Sequence, residues 1–202
     1  MEGLLSALLV CFLLAAGLMS QNSDKEKEMT IELVALGEIP MSVLHHLQQK
    51  LPDIFQAVVF VGQGKALPRE AYDRKRQQYL SLPLLALLSR GRTSDPVNHK
   101  ILGIMDEDVY TPGLNFIFGQ AEATTGVAMI SLTRLRQSFY GLAEDEDIFL
   151  ERSLKEAVHE IGHLYGLGHC PDSLCVMHFS NSLSDTDRKS FRFCKRCQAR
   201  LG

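Results

Sequence analysis

The chain has 202 residues, 46% of them apolar and 22% charged, with 21 basic and 24 acidic side chains and a formal net charge of −3. That length supports one domain with a core of its own, and the composition excludes a disordered or collagen-like chain. The charge argues against a strongly basic nucleic-acid binder. Five cysteines are too few for a disulfide-dense scaffold, and four of them crowd between Cys170 and Cys197, leaving Cys11 alone.

Residues 4–18 are an uncharged apolar run of fifteen, short for a membrane span but long enough for the core of a secretory leader. The flanks disagree with that role. Glu2 is the only charge before the run, and no clean small-x-small cleavage site follows it. Two readings of 1–28 remain: it exports or tethers the protein, or it is a mis-chosen start ahead of a single domain at 29–202.

From there the periodicity predicts a strand at 30–36, a turn at 37–40 and a helix at 41–51 with Val43, Leu44, Leu47 and Leu51 on one face. The β-branched run 57–61 reads as a buried strand. Residues 70–89 read as a helix that Pro83 kinks or splits. Strands are expected at 100–105, at the sheet edge over 115–118, and at 127–132. Asp106, Glu107 and Asp108 between them read as a solvated turn in preference to a metal site. Residues 148–165 form a long periodic helix, with Asp147 as its N-cap and an acidic run suited to the positive end of the helix dipole. Strands alternating with helices, closing on one long helix, make an α/β or α+β domain.

The chemistry gathers at the end of that helix. His159 and His163 are four residues apart and lie one above the other on a helix, so both imidazoles can reach one ion. Glu160 adjoins the first and can reach a water on that ion. Gly166 lets the chain leave the helix through a left-handed residue and bring His169 back as a third ligand. Three imidazoles leave one tetrahedral position open, as a catalytic zinc requires. Zinc acidifies its water and polarises a carbonyl, and Glu160 is the expected proton carrier. A second oxyanion donor is not evident: Tyr165 packs in the same turn and Tyr140 is unplaced. His45 and His46 read as solvated, His99 as a partnerless loop residue, and His178 as a neighbour of the metal region that does not bind it.

Cys170, Cys175, Cys194 and Cys197 have spacings found in structural zinc sites, where four thiolates close the shell. Two disulfides or a redox pair are the alternatives. Zinc is favoured, because no strand-to-helix redox context is present and four reduced thiols suit a reducing compartment. Cys170 follows His169 directly, which would couple the two sites mechanically.

The run 159–170, the Cys175-Val176-Met177 segment and the closing Cys194 and Cys197 pair closely resemble the archaemetzincins, a family of metzincin-like zinc peptidases. Sixteen residues separate Met177 from Cys194, about one fewer than the family pattern. The resemblance implies a mixed, twisted sheet, an active-site helix, two zinc ions per chain, and Met177 as the methionine of the turn beneath the catalytic ion. It also implies that part of 106–121 is an edge strand receiving an extended peptide. The expected protein is a zinc metallopeptidase on peptide or protein substrates, cutting internally or as an aminopeptidase. It is expected to be monomeric and cytoplasmic, with no stable membrane span; export or tethering through 1–28 is the alternative. Two other functions compete: an inert zinc-stabilised binding module, and a nucleic-acid binder using Arg188, Lys189, Arg192, Lys195, Arg196 and Arg200.

Overall fold

The computed structural model describes residues 28–90 and 95–201. Cys11 and the leader-like run 4–18, with the readings that rest on them, lie outside the described residues. The chain order is β1 (Thr30–Leu36), α1 (Met41–Phe55), β2 (Val58–Val61), β3 (Tyr72–Asp73), β4 (Gln78–Leu80), α2 (Ser81–Ser89), β5 (His99–Met105), β6 (Val109–Tyr110), β7 (Gly119–Glu122), β8 (Val127–Ser131), α3 (Glu146–Leu164), α4 (Leu183–Arg188) and α5 (Lys195–Gln198).

Five strands form a mixed sheet in the order β2-β1-β5-β8-β7, parallel except for β7, which runs antiparallel at one edge. Successive side chains point to opposite faces. Ile31, Leu33, Leu102, Ile104, Ala128 and Ile130 therefore meet the layer that contains α1 and α3. Val34, Leu36, Ile101, Met105, Val127 and Met129 meet Leu84, Leu85 and Leu88 of α2. With both faces covered, the central strands β5 and β8 read as nearly unbroken apolar runs. This is the mixed α/β architecture expected from the alternation of elements.

Several local expectations give way. α1 continues through Pro52 to Phe55, because burial of Leu51 and Phe55 one turn apart extends the apolar stripe past the lost hydrogen bond. β2 is an exposed edge strand, with Val58 43% and Phe60 39% accessible. The 70–89 stretch is a short hairpin followed by a helix. Asp73 Oδ1 accepts from the N–H groups of Lys75 and Arg76, and Gln77 takes φ of +57°, which turns the chain. Pro83 then falls in the first turn of α2, where its missing N–H has no intrahelical partner to lose. The antiparallel edge strand is β7, not 115–118, and β6 was not anticipated.

The acidic turn is not merely solvated. Asp106 pairs with Arg136 at 2.6 Å and Asp108 with Arg134 at 2.7 Å. His99 is a β5 residue, 2.8 Å from Thr30 Oγ1 and 3.2 Å from Glu32 Oε2. His45 is exposed, but His46 is half-buried and burial lowers its pKa.

α3 begins at Glu146, two residues earlier than the apolar spacing suggests, and its N-cap is Asp145, whose carboxylate accepts from the Ile148 N–H at 3.0 Å. Asp145→Ala is expected to cost about 1 kcal/mol of stability. Asp147→Ala, removing only a first-turn charge, should cost a few tenths. Denaturant midpoints of the two variants check this.

Candidate metal centre

α3 is buried on every side from Arg152 to Gly162, so its last turns are held from the sheet side and from the C-terminal segment at once. The helix ends in a Schellman motif. Gly166 N–H donates to the His163 carbonyl at 2.9 Å and Leu167 N–H to that of Gly162 at 3.1 Å, with Gly166 at φ of +80°. The reversal carries His169 back against α3. Its ring centroid lies 5.4 Å from that of His159 and 5.0 Å from that of His163.

Hydrogen bonds set the tautomers. His159 Nδ1 donates to the Val176 carbonyl at 2.8 Å, and His163 Nδ1 to that of Leu167 at 2.7 Å. Both Nε2 lone pairs are therefore free, and they face each other at 3.1 Å. Two imidazoles on one tetrahedral zinc stand about 3.3 Å apart, given zinc–nitrogen bonds near 2.0 Å. Burial lowers the pKa of all three histidines. For His159 it does so strongly, with the Lys189 ammonium adding to the effect. Burial thus favours the neutral rings that ligation requires. One ligand nitrogen from each histidine fits within a 4.8 Å cluster, and the donor set suits zinc.

Glu160 is 5% exposed, and no described residue donates a hydrogen bond to its carboxylate. Burial, with the Glu156 carboxylate nearby, raises its pKa well above the usual carboxylate range. With His159 and Glu156, it lines a cleft of about 230 Å³ walled by 114–119 and 179–181. The space for Glu160 depends on Gly119: a Cβ there would lie 2.5 Å from Glu160 Cγ and 2.7 Å from Oε1. Gly119→Ala is therefore expected to displace the carboxylate and lower kcat about 100-fold with metal content unchanged. Steady-state kinetics beside metal analysis reads this out.

Met177 is fully buried, and a Cβ at Gly162 would lie 2.5 Å from its Sδ, so the methionine sits against the helix between His159 and His163 in sequence. The same segment is tied on both sides, by the Val176 carbonyl to His159 and by the Met177 carbonyl, which accepts from Cys170 N–H at 2.8 Å.

Cys170, Cys175, Cys194 and Cys197 are all free, and their sulfurs cluster within 4.8 Å. The Cys170 and Cys194 sulfurs are 3.8 Å apart. That is too far for a bond and matches the edge of a tetrahedron with zinc–sulfur distances near 2.3 Å, about 3.8 Å. The disulfide alternative is therefore set aside. The Cys197 backbone N–H draws the Cys194 thiol down to about 7, while burial raises Cys175 and Cys197. Among the described residues, these four cysteines and the three histidines are the candidate metal clusters.

Other candidates separate. His178 Nδ1 donates to the Cys170 carbonyl at 3.0 Å and lies outside both clusters. Tyr165 stacks on Phe55 with a buried hydroxyl raised to about 12, and Tyr140 donates to the Arg134 carbonyl; neither lines the cleft. Lys189 does not belong to a basic surface: it is 1% exposed and paired with Glu156 at 3.0 Å. Arg196 Nη2 points at Cys170 Sγ, 3.3 Å away. Sequence reasoning missed Gly119, Glu156, Lys189 and Phe179. Only Glu156, one helical turn before Glu160, carried any signal.

A profile of peptidase family M54 matches residues 27–202. The archaemetzincin of Pyrococcus furiosus is 43% identical over 182 residues, spanning 85% of this chain and 91% of the relative. The crystal structure of archaemetzincin from Methanopyrus kandleri shares 42% identity and a TM-score of 0.75, covering 89% of this chain and 96% of that one. The archaemetzincin of Archaeoglobus fulgidus, solved as a complex with malonate, shares 38% identity and a TM-score of 0.73, covering 85% and 99%.

Proposed function

This chain belongs to peptidase family M54, the archaemetzincins, and is a zinc-dependent peptidase; on that premise we propose that His159, His163 and His169 hold its catalytic ion and that Glu160 is its proton carrier. Cys170, Cys175, Cys194 and Cys197 hold a second, structural zinc, giving two ions per chain. The observation that carries this reading is the pair of imidazole Nε2 atoms facing each other at 3.1 Å, both freed for metal by Nδ1 bonds to backbone carbonyls.

Zinc bound there supplies Lewis acidity, polarising the peptide carbonyl and bringing a water near neutrality in pKa. The protein supplies the rest. The Val176 and Leu167 carbonyls hold two of the rings in their ligating tautomer. The Glu160 carboxylate accepts the proton of the attacking water and delivers it to the leaving amine nitrogen. Its buried position favours the protonated state between those two transfers. The free edge of β7 runs on from Gly119 in the cleft wall, so an extended peptide can add there as a further strand.

Cleavage of a mixed peptide library by zinc-loaded protein, with products mapped by mass, tests the reading and separates internal cleavage from removal of terminal residues. A chain that binds both ions and cuts nothing would instead be an inert, zinc-stabilised binding module. Four free thiols suit the cytoplasm. No helix among the described residues is long and apolar enough to cross a membrane. We read the active species as a monomer.

A further inference from the structure

We propose that Glu156, backed by Lys189 and Thr186, is a specificity residue of the cleft. It selects a substrate side chain beside the scissile bond that is apolar along its length and ends in a neutral hydrogen-bond donor, with tyrosine the best fit. The inference rests on the peptidase reading above and names what that site prefers.

Glu156 lies one turn before Glu160 on α3, and both side chains reach the same cleft. Its Oε1 is committed: it accepts from Thr186 Oγ1 at 3.0 Å and faces Lys189 Nζ at 3.0 Å. No described residue donates to its other oxygen, which is left as an acceptor for whatever fills the cleft. The Lys189 side chain is fully inaccessible, so an entering group meets the carboxylate and not the ammonium. A buried ion pair is a poor source of stability, since apolar residues of similar volume do as well or better. Placed in a cleft with apolar walls on one side and Asn115, Ser180 and Asn181 also in its lining, it holds one acceptor in a fixed position.

The shape and charge of the cleft narrow the ligand. Leu114, Phe116, Phe118 and Phe179 supply apolar walls. The volume of about 230 Å³ exceeds the roughly 150 Å³ that accepts a benzene ring elsewhere. A phenol therefore fits. Lys189 already neutralises Glu156, and the three-histidine cluster beside it is built for a divalent cation. A lysine or arginine side chain would bring a further positive charge beside Lys189 and that cation. A phenol hydroxyl donates to Glu156 without that repulsion.

The test uses the zinc-loaded full chain and peptides identical except for Tyr, Phe or Lys, placed in turn at each position flanking the scissile bond. At one of those positions the Tyr peptide is expected to show kcat/KM about 10- to 100-fold above the Phe peptide, the factor for a hydrogen bond to a charged acceptor, and to exceed the Lys peptide. A second readout is binding to the Glu160→Gln chain, where the Tyr peptide should be favoured over Phe by a similar factor. Glu156→Leu combined with Lys189→Met and Thr186→Val removes the pair without stranding a buried charge, and should bring both ratios near one. Equal handling of Tyr and Phe by the unaltered chain overturns the inference and leaves the peptidase reading standing. A preference for Lys also overturns it. Absence of cleavage across every peptide strikes the peptidase reading instead, and the binding ratio still decides the inference.

Discussion

Glu160→Gln is expected to leave metal content unchanged and lose about 10²- to 10⁴-fold in peptide turnover, the range set by removal of a general acid–base group. Glutamine preserves the length and volume of the side chain in the space left by Gly119. It leaves the three histidines and their carbonyl partners untouched. What it removes is the ability to take up and release a proton. The carboxylate is buried, and the other carboxylate of the cleft, Glu156, lies one turn away and is held by Thr186 and Lys189. Metal content and turnover measured on the same preparation separate this role from metal binding. Equal turnover with intact zinc would remove Glu160 from the chemistry; loss of zinc together with turnover would make its role structural.

The second large effect belongs to the cysteine cluster. Cys175→Ser or Cys197→Ser takes one buried thiolate from the set of four. Structural zinc contributes about 10–16 kcal/mol of apparent binding energy in small zinc domains, comparable with or larger than the whole stability of an ordinary domain at about 5–15 kcal/mol. The expected result is a fall from two ions per chain to at most one, with a large drop in Tm or failure to fold. The catalytic site should suffer as well. Cys170 adjoins His169, its N–H holds the Met177 carbonyl, and the Val176 carbonyl beside it orients His159. Calorimetry and metal analysis check this, and a variant that retains two ions and an unchanged Tm would remove the cysteines from that role.

The three-histidine cluster was legible because its determinants are local. A four-residue spacing stacks two side chains on any helix, and a glycine three residues beyond His163 allows the reversal that returns His169. The four cysteines were legible as a cluster from spacing and from resemblance, but their pairing was not. Only the 3.8 Å separation of two sulfurs that are otherwise 24 residues apart in sequence distinguishes a metal cage from a disulfide. The stretch 70–89 misled for the opposite reason. Its apolar end is a true helix, but the hairpin before it is set by an Asp73 turn and a left-handed Gln77, and periodicity is blind to both.

By itself, the sequence determined which side chains cluster as candidate ligands, their order and the helix that presents them, since these follow from backbone geometry within a few turns. Tertiary structure alone decided what surrounds them. Gly119 makes room for Glu160 from a strand 41 positions away, and Met177 packs under Gly162 from beyond the reversal. Lys189, which in sequence belongs to a basic run, becomes a buried partner of Glu156 at the cleft. Such contacts depend on which faces of distant elements are pressed together by burial of the core, and no local spacing encodes that.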